Sequence, residues 1–370
     1  MDVFKFKNPV HPTRMDQGEL INGLTSKLWI ERYRDISDFE FIANAETLAH
    51  KLLPIGTLVS HTQTHEVMIV ENHEIKENVG RETEVKITGR SFESFLENRI
   101  IGSNRVWPTT ASATDEYTLV AATTWNQAVT MIKDHSDLAF VVDPNDAVQY
   151  VQAMANVSGA GGQEGRSIKR GNLYTRLIEL LGVDQLGIKT IRPGVWSPLG
   201  SSSPNMVLLI HRGADLSQTV AFSYATGEIQ SADYLWSNKK LKNAALVTGR
   251  WIETVVKDAS VGYSRRMMQV DATDIDNAFP VAPTGQDRLN IIAAMGIRGQ
   301  AALAAQKNVA LVKSEAARNS TIYKHRIHYN VGDIVAVDGE YDEASTMRIS
   351  EYVEVEDETG ENGYPTLSVV

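Results

Sequence analysis

There is no cysteine anywhere in the 370 residues. That excludes disulfides, thiol nucleophiles and zinc held by thiolates, and it suits a chain made in a reducing compartment or one whose fold ignores redox state. Long apolar runs are missing too. No stretch approaches the roughly eighteen residues of a membrane span, and no apolar h-region follows "MDVFKFKNPV", so neither a stable membrane insertion nor a secretion signal is expected. Positive charge is scarce: 36 Lys and Arg stand against 46 Asp and Glu, for a net charge of −10. Gripping nucleic acid by its phosphates needs a basic surface, so no specific nucleic-acid binding is expected. DNA that merely passes nearby is not excluded by this.

Motifs for nucleotide handling and hydrolysis are absent as well. No GxxxxGK[ST] occurs, and "GAGGQEG" (159–165) follows a predicted helix instead of a strand, so it reads as a loop and not as a phosphate cradle. No GxSxG elbow occurs, and the serines of "GSSSP" sit in a Pro-bounded loop. Paired carboxylates could serve a glycosidase, but any chain with 46 acids permits that. The His-rich stretch "SHTQTHEVMIVENHEIKE" (60–77) has the composition of extended chain, which sets His61 and His65 roughly 13 Å apart on one face, too far to share a metal. No catalytic, metal or cofactor-binding residue is therefore assigned, and no cofactor is expected.

What is present is an ordinary globular composition, 42% apolar and 22% charged, in a chain long enough for two or three domains. The first hundred residues read as short strands: "KLWIERY" (27–33), "FEFIA" (39–43), "GTLVS" (56–60), "EVMIVENHEI" (66–75) and "ETEVKI" (82–87), followed by a helix capped by Ser91 and running to Ile101. The middle is mixed. Thr124 and Gln127 have capping-box spacing, "DPNDAVQYVQAMAN" (143–156) reads as a helix capped by Asp143, and "NLYTRLIELLG" as one capped by Asn172 and stopped by Gly182. "VLLI" (207–210), "TVAFS" (219–223) and "AALVTGRWIETVV" (244–256) read as strands, and the likeliest loops are 158–166 and 196–205. From Thr284 a long helix carries Leu289, Ile292, Gly296, Gly299 and Leu303 on one stripe. Its two glycines imply either close packing or a break. In "SVGYSRRMMQVDATDID" (260–276), Arg265 and Arg266 read as structural or interface residues, with Met267 and Val270 packed inward.

The β-rich ends share an order of events. "GTLVSHTQTHEVMIVENHEI" and "GDIVAVDGEYDEASTMRISEYVEV" each run from a Gly-x-[Leu/Ile]-Val strand through a polar hairpin into a Met-containing strand. Each then enters Glu-x-x-Glu-[Ile/Val] (71–75 and 351–355), and a short strand closes the unit, "EVKI" or "TLSVV". This points to two copies of one small β domain. It places His61 and His65 at a polar turn.

"LWIERYRDISDFEF", "LLPIGTLVS", "EVMIVENHEI", "ITGRSFESFLENRII", "GYSRRMMQVDATDI" and "YNVGDIVAV" together resemble the minor tail proteins of long-tailed (siphovirus) bacteriophages, related to the baseplate hubs of contractile tails. The resemblance runs over roughly residues 20–357. It implies an α+β fold of two related small antiparallel β-barrel domains with α/β insertions, assembled as a homotrimeric hub. Its domains would be a first barrel at 1–105, an α/β insertion at 106–190, a mixed β and helical segment at 191–308, and a second barrel region at 309–370. It further implies a place at the tail tip of the virion after synthesis in the host cytoplasm. The partners would be a distal tail ring or tail tube, the tape-measure protein, and tail-tip or fibre proteins, with DNA passing through a gated lumen. An acidic lumen wall would keep that DNA from sticking. The family motifs fall on Trp29, Glu31, Arg32, Tyr33, Gly89, Arg90, Arg265, Arg266, Gly332 and Asp333, as structural or interface residues and not as a catalytic set. Two other readings stand beside this one: a tail-associated cell-wall hydrolase, and a receptor-binding module using Trp107, Trp196 and Trp236 as a sugar platform.

Overall fold

The computed structural model describes residues 2–6, 18–44, 46, 51, 53–76, 83–101, 116–136, 151–157, 164–192, 206–237, 241–258, 261–277, 279–304, 306, 309–316, 322–338, 344–358 and 360–369. The fold is mixed α+β and strand-rich. Its first part contains β1 (Val3–Lys5), β2 (Leu24–Arg32), β3 (Asp38–Asn44), β4 (Leu58–His61), β5 (Met68–Lys76), β6 (Glu84–Ser91) and β7 (Ile100–Ile101). The middle contains β8 (Glu116–Ala122), α1 (Thr124–His135), β9 (Val151–Asn156), β10 (Glu164–Lys169), β11 (Gly171–Asn172), α2 (Leu173–Gly182), β12 (Gly187–Ile191), β13 (Met206–His211), β14 (Ala221–Ser223) and β15 (Ile229–Ser237). Then come β16 (Ala244–Thr248), β17 (Glu253–Lys257), β18 (Met267–Asp271), α3 (Thr273–Asp276), α4 (Gly285–Ala304), β19 (Val309–Ala316), β20 (Ile334–Asp338), β21 (Ala344–Asp357) and β22 (Gly360–Val369).

Both β-rich ends join one 12-stranded sheet, whose path runs β1-β4-β5-β6-β3-β2-β21-β22-β19-β15, with β20 on β21 and β14 on β20. The path carries the internal duplication. In the first unit the strands lie in the order β4-β5-β6-β3-β2, and in the second β20-β21-β22-β19-β15. Taken in chain order, each unit therefore visits the same five places. Local detail repeats as well. Gly56 and Gly332 both have positive φ (89° and 101°), which favours glycine. The Gly56 N–H donates to the Val70 carbonyl at 2.8 Å, and the Gly332 N–H donates to the Ile349 carbonyl at 2.7 Å. A bulge follows each acceptor, between Val70 and Asn72 and between Ile349 and Glu351. The correspondence pairs Met68 with Met347 and so sets Glu71 against Ser350. The two Glu-x-x-Glu runs are thus one residue out of step.

Two closed barrels are not what the strands make. Among the described residues the path is open, because the outer edge of β2 pairs with β21 of the second unit instead of returning to its own β4 or β5. One face of this sheet is core. Alternation on β3 and β6 sends Phe39, Phe41, Ala43, Val85 and Ile87 inward, where Trp29 stacks on Phe39 at 5.9 Å between ring centroids. Gly89 belongs to that layer: a Cβ there would lie 1.9 Å from the Ile69 carbonyl oxygen.

The middle folds against the first unit. α1, α2 and the three-stranded sheet β12-β13-β9 share a core with Phe4, Phe6, Leu58, Val67 and Leu96. Asn172 caps α2 as its sequence implies, accepting the Thr175 N–H at 3.0 Å. Other expectations change. Residues 151–156, expected to be helical, form β9, because the run pairs in parallel with the fully buried β13; residues 137–150, with Asp143, lie outside the described residues. Thr124 opens α1 but the N-cap is Thr123, and Gln127 instead donates through its side chain to the Val120 carbonyl. After Ser91 comes a 3₁₀ helix, Phe92–Asn98, and then β7 at Ile100–Ile101. Of the two expected loops, residues 158–163 and 196–205 lie outside the described residues, whereas Glu164, Gly165 and Arg166 sit in β10.

The segment 244–256 is a hairpin and not one strand. β16 turns into β17 because the Asp276 carboxylate accepts the backbone N–H groups of Arg250 (2.6 Å), Trp251 (2.6 Å) and Ile252 (3.1 Å). β18 completes this sheet, presenting Met268 and Val270 inward, while Met267, expected inside, is 52% exposed. α4 continues through both glycines. Its buried face is Ile291, Met295 and Gly299, not the stripe through Leu289, which is 60% exposed. Gly299 permits close packing, since a Cβ would come within 2.8 Å of Val247 and Val256, whereas Gly296 meets nothing within 4 Å.

Candidate functional site at the joint between the two β units

Most of the motif residues converge on the joint where β2 meets β21. Antiparallel register sets Lys27 opposite Glu356, Leu28 opposite Val355, Trp29 opposite Glu354, Ile30 opposite Val353, Glu31 opposite Tyr352 and Arg32 opposite Glu351. On one face lies a buried charge network. The Arg326 guanidinium reaches Glu31 at 2.7 Å and both oxygens of Glu354 at 2.9 and 3.0 Å, a fork on a carboxylate. Thr64 donates to Glu31 from beneath, His325 Nε2 lies 3.6 Å from Glu31, and His61 Nε2 lies 3.2 Å from Glu354. The His61 ring packs edge-on against Trp29 at 4.8 Å, and His325 stacks on Tyr352 at 3.8 Å. Arg326 itself holds φ at 64°, a strained conformation for a long side chain, kept by its three hydrogen bonds to two carboxylates.

Burial and charge divide the protonation states. Burial pushes the Glu31 carboxyl up, but Arg326, His325 and the Thr64 hydroxyl hold it well below the usual carboxylate range. Burial likewise opposes ionisation of Glu354, and His61 with Arg326 brings it down to about 2. Burial holds the His325 imidazole down at about 3 against the pull of Glu31, and it also lowers His61. One permanent cation thus bridges two carboxylates between two neutral imidazoles. Nearby, burial pushes the Glu66 carboxyl well up, with Glu31 and Glu93 adding repulsion.

A second node forms around Tyr33. Its hydroxyl donates to the Gln185 carbonyl at 2.9 Å and accepts the Gly213 N–H at 3.2 Å, and Arg348 lies over its ring at 4.9 Å. Gly187 and Gly332 press on the ring closely enough that a Cβ on either would come within 2.4 Å. Asp333, buried and raised by that burial, accepts the Ala214 N–H at 2.7 Å and the Asn330 N–H at 2.8 Å, tying the strand entry to the middle of the chain. On the opposite face Arg32 bridges Asp38 (2.6 Å) and Glu351 (2.7 Å), and Arg90 binds Glu71 and Glu97.

Trp29, Glu31, Arg32 and Tyr33 therefore line the joint, Gly332 and Asp333 brace it, and Gly89 with Arg90 stand two and three strands away. Arg265 and Arg266 lie apart, at the entry to β18. His61, expected at a polar turn, is the fully buried end of β4. Sequence reasoning missed Arg326, Glu354, His325 and Arg348. The one local signal was "KHRIHY" (324–329), of which His325 and Arg326 enter the joint while Lys324 and His328 are exposed. Chemically the network is a clamp: its carboxylates are sealed under aromatic rings and engaged by a guanidinium, so neither is presented to a substrate proton. Among the described residues no cluster of three or more His, Asp or Glu could hold a metal. Trp107 and Trp196 lie outside the described residues, and Trp236 falls in β15.

Comparison with known proteins adds the following. The family model described as siphovirus ReqiPepy6 Gp37-like protein matches residues 11–367. No protein of curated function matches the chain. Among solved structures, the tail protein from Neisseria meningitidis MC58 superposes with a TM-score of 0.59 at 12% identity, covering 99% of this chain and 95% of that one. The 43 kDa tail protein of prophage MuSo2 from Shewanella oneidensis gives 0.60 at 12% identity, covering 100% and 98%. The prophage tail protein gp18 from Listeria monocytogenes EGD-e gives 0.53 at 12% identity, covering 99% and 94%. At this identity the likeness is one of fold.

Proposed function

Because the chain belongs to the siphovirus ReqiPepy6 Gp37-like family, we propose that it is a structural protein of a bacteriophage tail, and within the tail the trimeric hub of its tip. The tail proteins whose fold it shares support the first step. The observation that carries the second is the duplication: two units with the same strand order stand side by side in one open sheet. Three such chains present six equivalent units, which matches a sixfold tail tube or distal tail ring on one side while the insertions stay threefold on the other. The protein then acts mechanically, as a symmetry adaptor around a channel for DNA, and the clamp at the joint fixes the two units of each chain. Tape-measure and tip or fibre proteins are the partners this reading requires, and the virion tail tip is its location. Among the described residues the hydrolase and receptor-binding readings have no observation of their own.

The test is the solution mass by size-exclusion chromatography with light scattering. A species near three times 40.9 kDa is expected. A chain that is monomeric at all concentrations, and that releases sugar or peptide from purified cell wall, would replace this reading with the hydrolase.

A further inference from the structure

The duplication also predicts where one chain meets the next. β21 is held along one side by two strands in succession: β20 pairs with its first half, Ala344 to Arg348, and β2 with its second half, Glu351 to Glu356. Its counterpart in the first unit is β5. β4 pairs with the start of β5, at Met68 and Ile69, just as β20 pairs with Met347 and Arg348. Beyond that point, from Glu71 to Lys76, no strand among the described residues lies on the same side of β5. The exposure differs accordingly. Ile75, which corresponds to Glu354, is 52% exposed, whereas Glu354 under β2 is 6% exposed.

The missing strand exists at the other end of the sheet. β15 occupies in the second unit the place that β2 occupies in the first, and among the described residues it pairs only with β19. Strand edges left open in this way are a liability unless something covers them. Here the edges are complementary by construction, since the chain already contains the joint they would form. Building on the hub reading above, we propose that β15 of one copy pairs antiparallel with the Glu71–Lys76 edge of β5 in a second copy, repeating the β2–β21 joint between chains. This contact is heterologous, head to tail, and closes into a ring.

The register follows from the ladders. Trp29 reaches Gly89 through Phe39, and Ala232 reaches Leu367 through Ser314; Gly89 faces Val70 as Leu367 faces Ile349. Ala232 therefore corresponds to Trp29. Because Trp29 faces Glu354, Ala232 of one copy faces Ile75 of the next, Ser231 faces Lys76, and Asp233 faces Glu74. Ahead of the two glycine turns, Leu53 and Tyr329 occupy matching buried places, and β2 pairs beside Tyr329.

A chain without cysteine makes the test direct. The double variant Ile75→Cys/Ala232→Cys, and as a second pair Glu74→Cys/Asp233→Cys, are oxidised mildly and read on non-reducing gels beside light-scattering mass. Leu28→Cys/Val355→Cys, across the internal joint, is the control and closes within one chain. The expected result is chain-to-chain disulfides with a series ending at three linked chains. Particles of multiple mass that link at neither pair, while the control closes, would overturn the edge pairing and leave the hub reading standing. A species that stays monomeric and unlinked up to millimolar concentration would overturn both.

Discussion

The ring of Tyr33 rests on the backbone of Gly332 so closely that a Cβ there would lie 2.3 Å from the ring. The corresponding glycine of the first unit, Gly56, shares the positive φ but meets nothing within 4 Å. The same substitution at these two matched positions therefore separates backbone strain from packing. Gly56→Ala should cost about 1 kcal/mol, from strain alone, and Gly332→Ala about 3 kcal/mol or more. Urea unfolding measures both. Equal losses would mean that the Tyr33 contact carries no weight.

Removing the guanidinium from the joint should be expensive. Arg326→Met leaves Glu31 and Glu354 buried without their cation, for a loss of about 3–5 kcal/mol. Arg90→Ala breaks an equally short pair of contacts, but with partners more than a third exposed, and should cost about 1 kcal/mol or less. A ranking in the other order would show that the network is not the clamp described.

Glu66 gives the joint a pH dependence of definite sign. Burial, with Glu31 and Glu93 nearby, raises its folded pKa well above the ordinary carboxylate value, and Lys189 and Arg326 only partly offset this. The folded state then keeps a proton that the unfolded state has lost, so stability falls as pH rises from about 4.5 through the folded value. Glu66→Gln removes this loss. The variant's advantage over the native chain should be small near pH 4.5 and grow toward pH 8, measured as the urea midpoint. A constant gap would mean that Glu66 ionises normally.

The inter-chain register sets Asp233 beside Glu74, two acids directly opposite. Such a pair opposes closure by about 0.2–1 kcal/mol per contact and is screened by salt. Asp233→Asn should let the multimer survive several-fold greater dilution at low ionic strength, with the difference vanishing near 1 M salt. Light scattering across a dilution series reads it, and no difference at low salt would shift the register away from this pairing.

The first unit was largely legible because its strands alternate strictly: "DFEFIAN" and "EVKITGRS" each declare an inner and an outer face. The duplication was legible too, as an order of strands, but the two Glu-x-x-Glu runs used to align it stand one residue out of step with the strand register, which carries its bulge at the same place in β5 and β21. Where alternation lapsed, reading failed. The run at 151–156 has the composition of a helix, and only pairing with the buried β13 makes it β9. The turn that splits 244–256 depends on Asp276, a carboxylate 24 to 26 residues away. The charge network was least visible of all, since Glu31 and Arg326 are 295 residues apart and no local pattern ties them.

β21 is one continuous strand of 14 residues, gripped by both units on one side and by β22 from Met347 to Asp357 on the other. It works as a splint across the seam. The two units cannot hinge against each other without tearing a ladder that belongs to both, so the wall they form bends as a single plate. On the proposed hub reading, a passage bounded by such plates would open by moving what is mounted on the wall, the inserted lobes, while the wall itself keeps its bore.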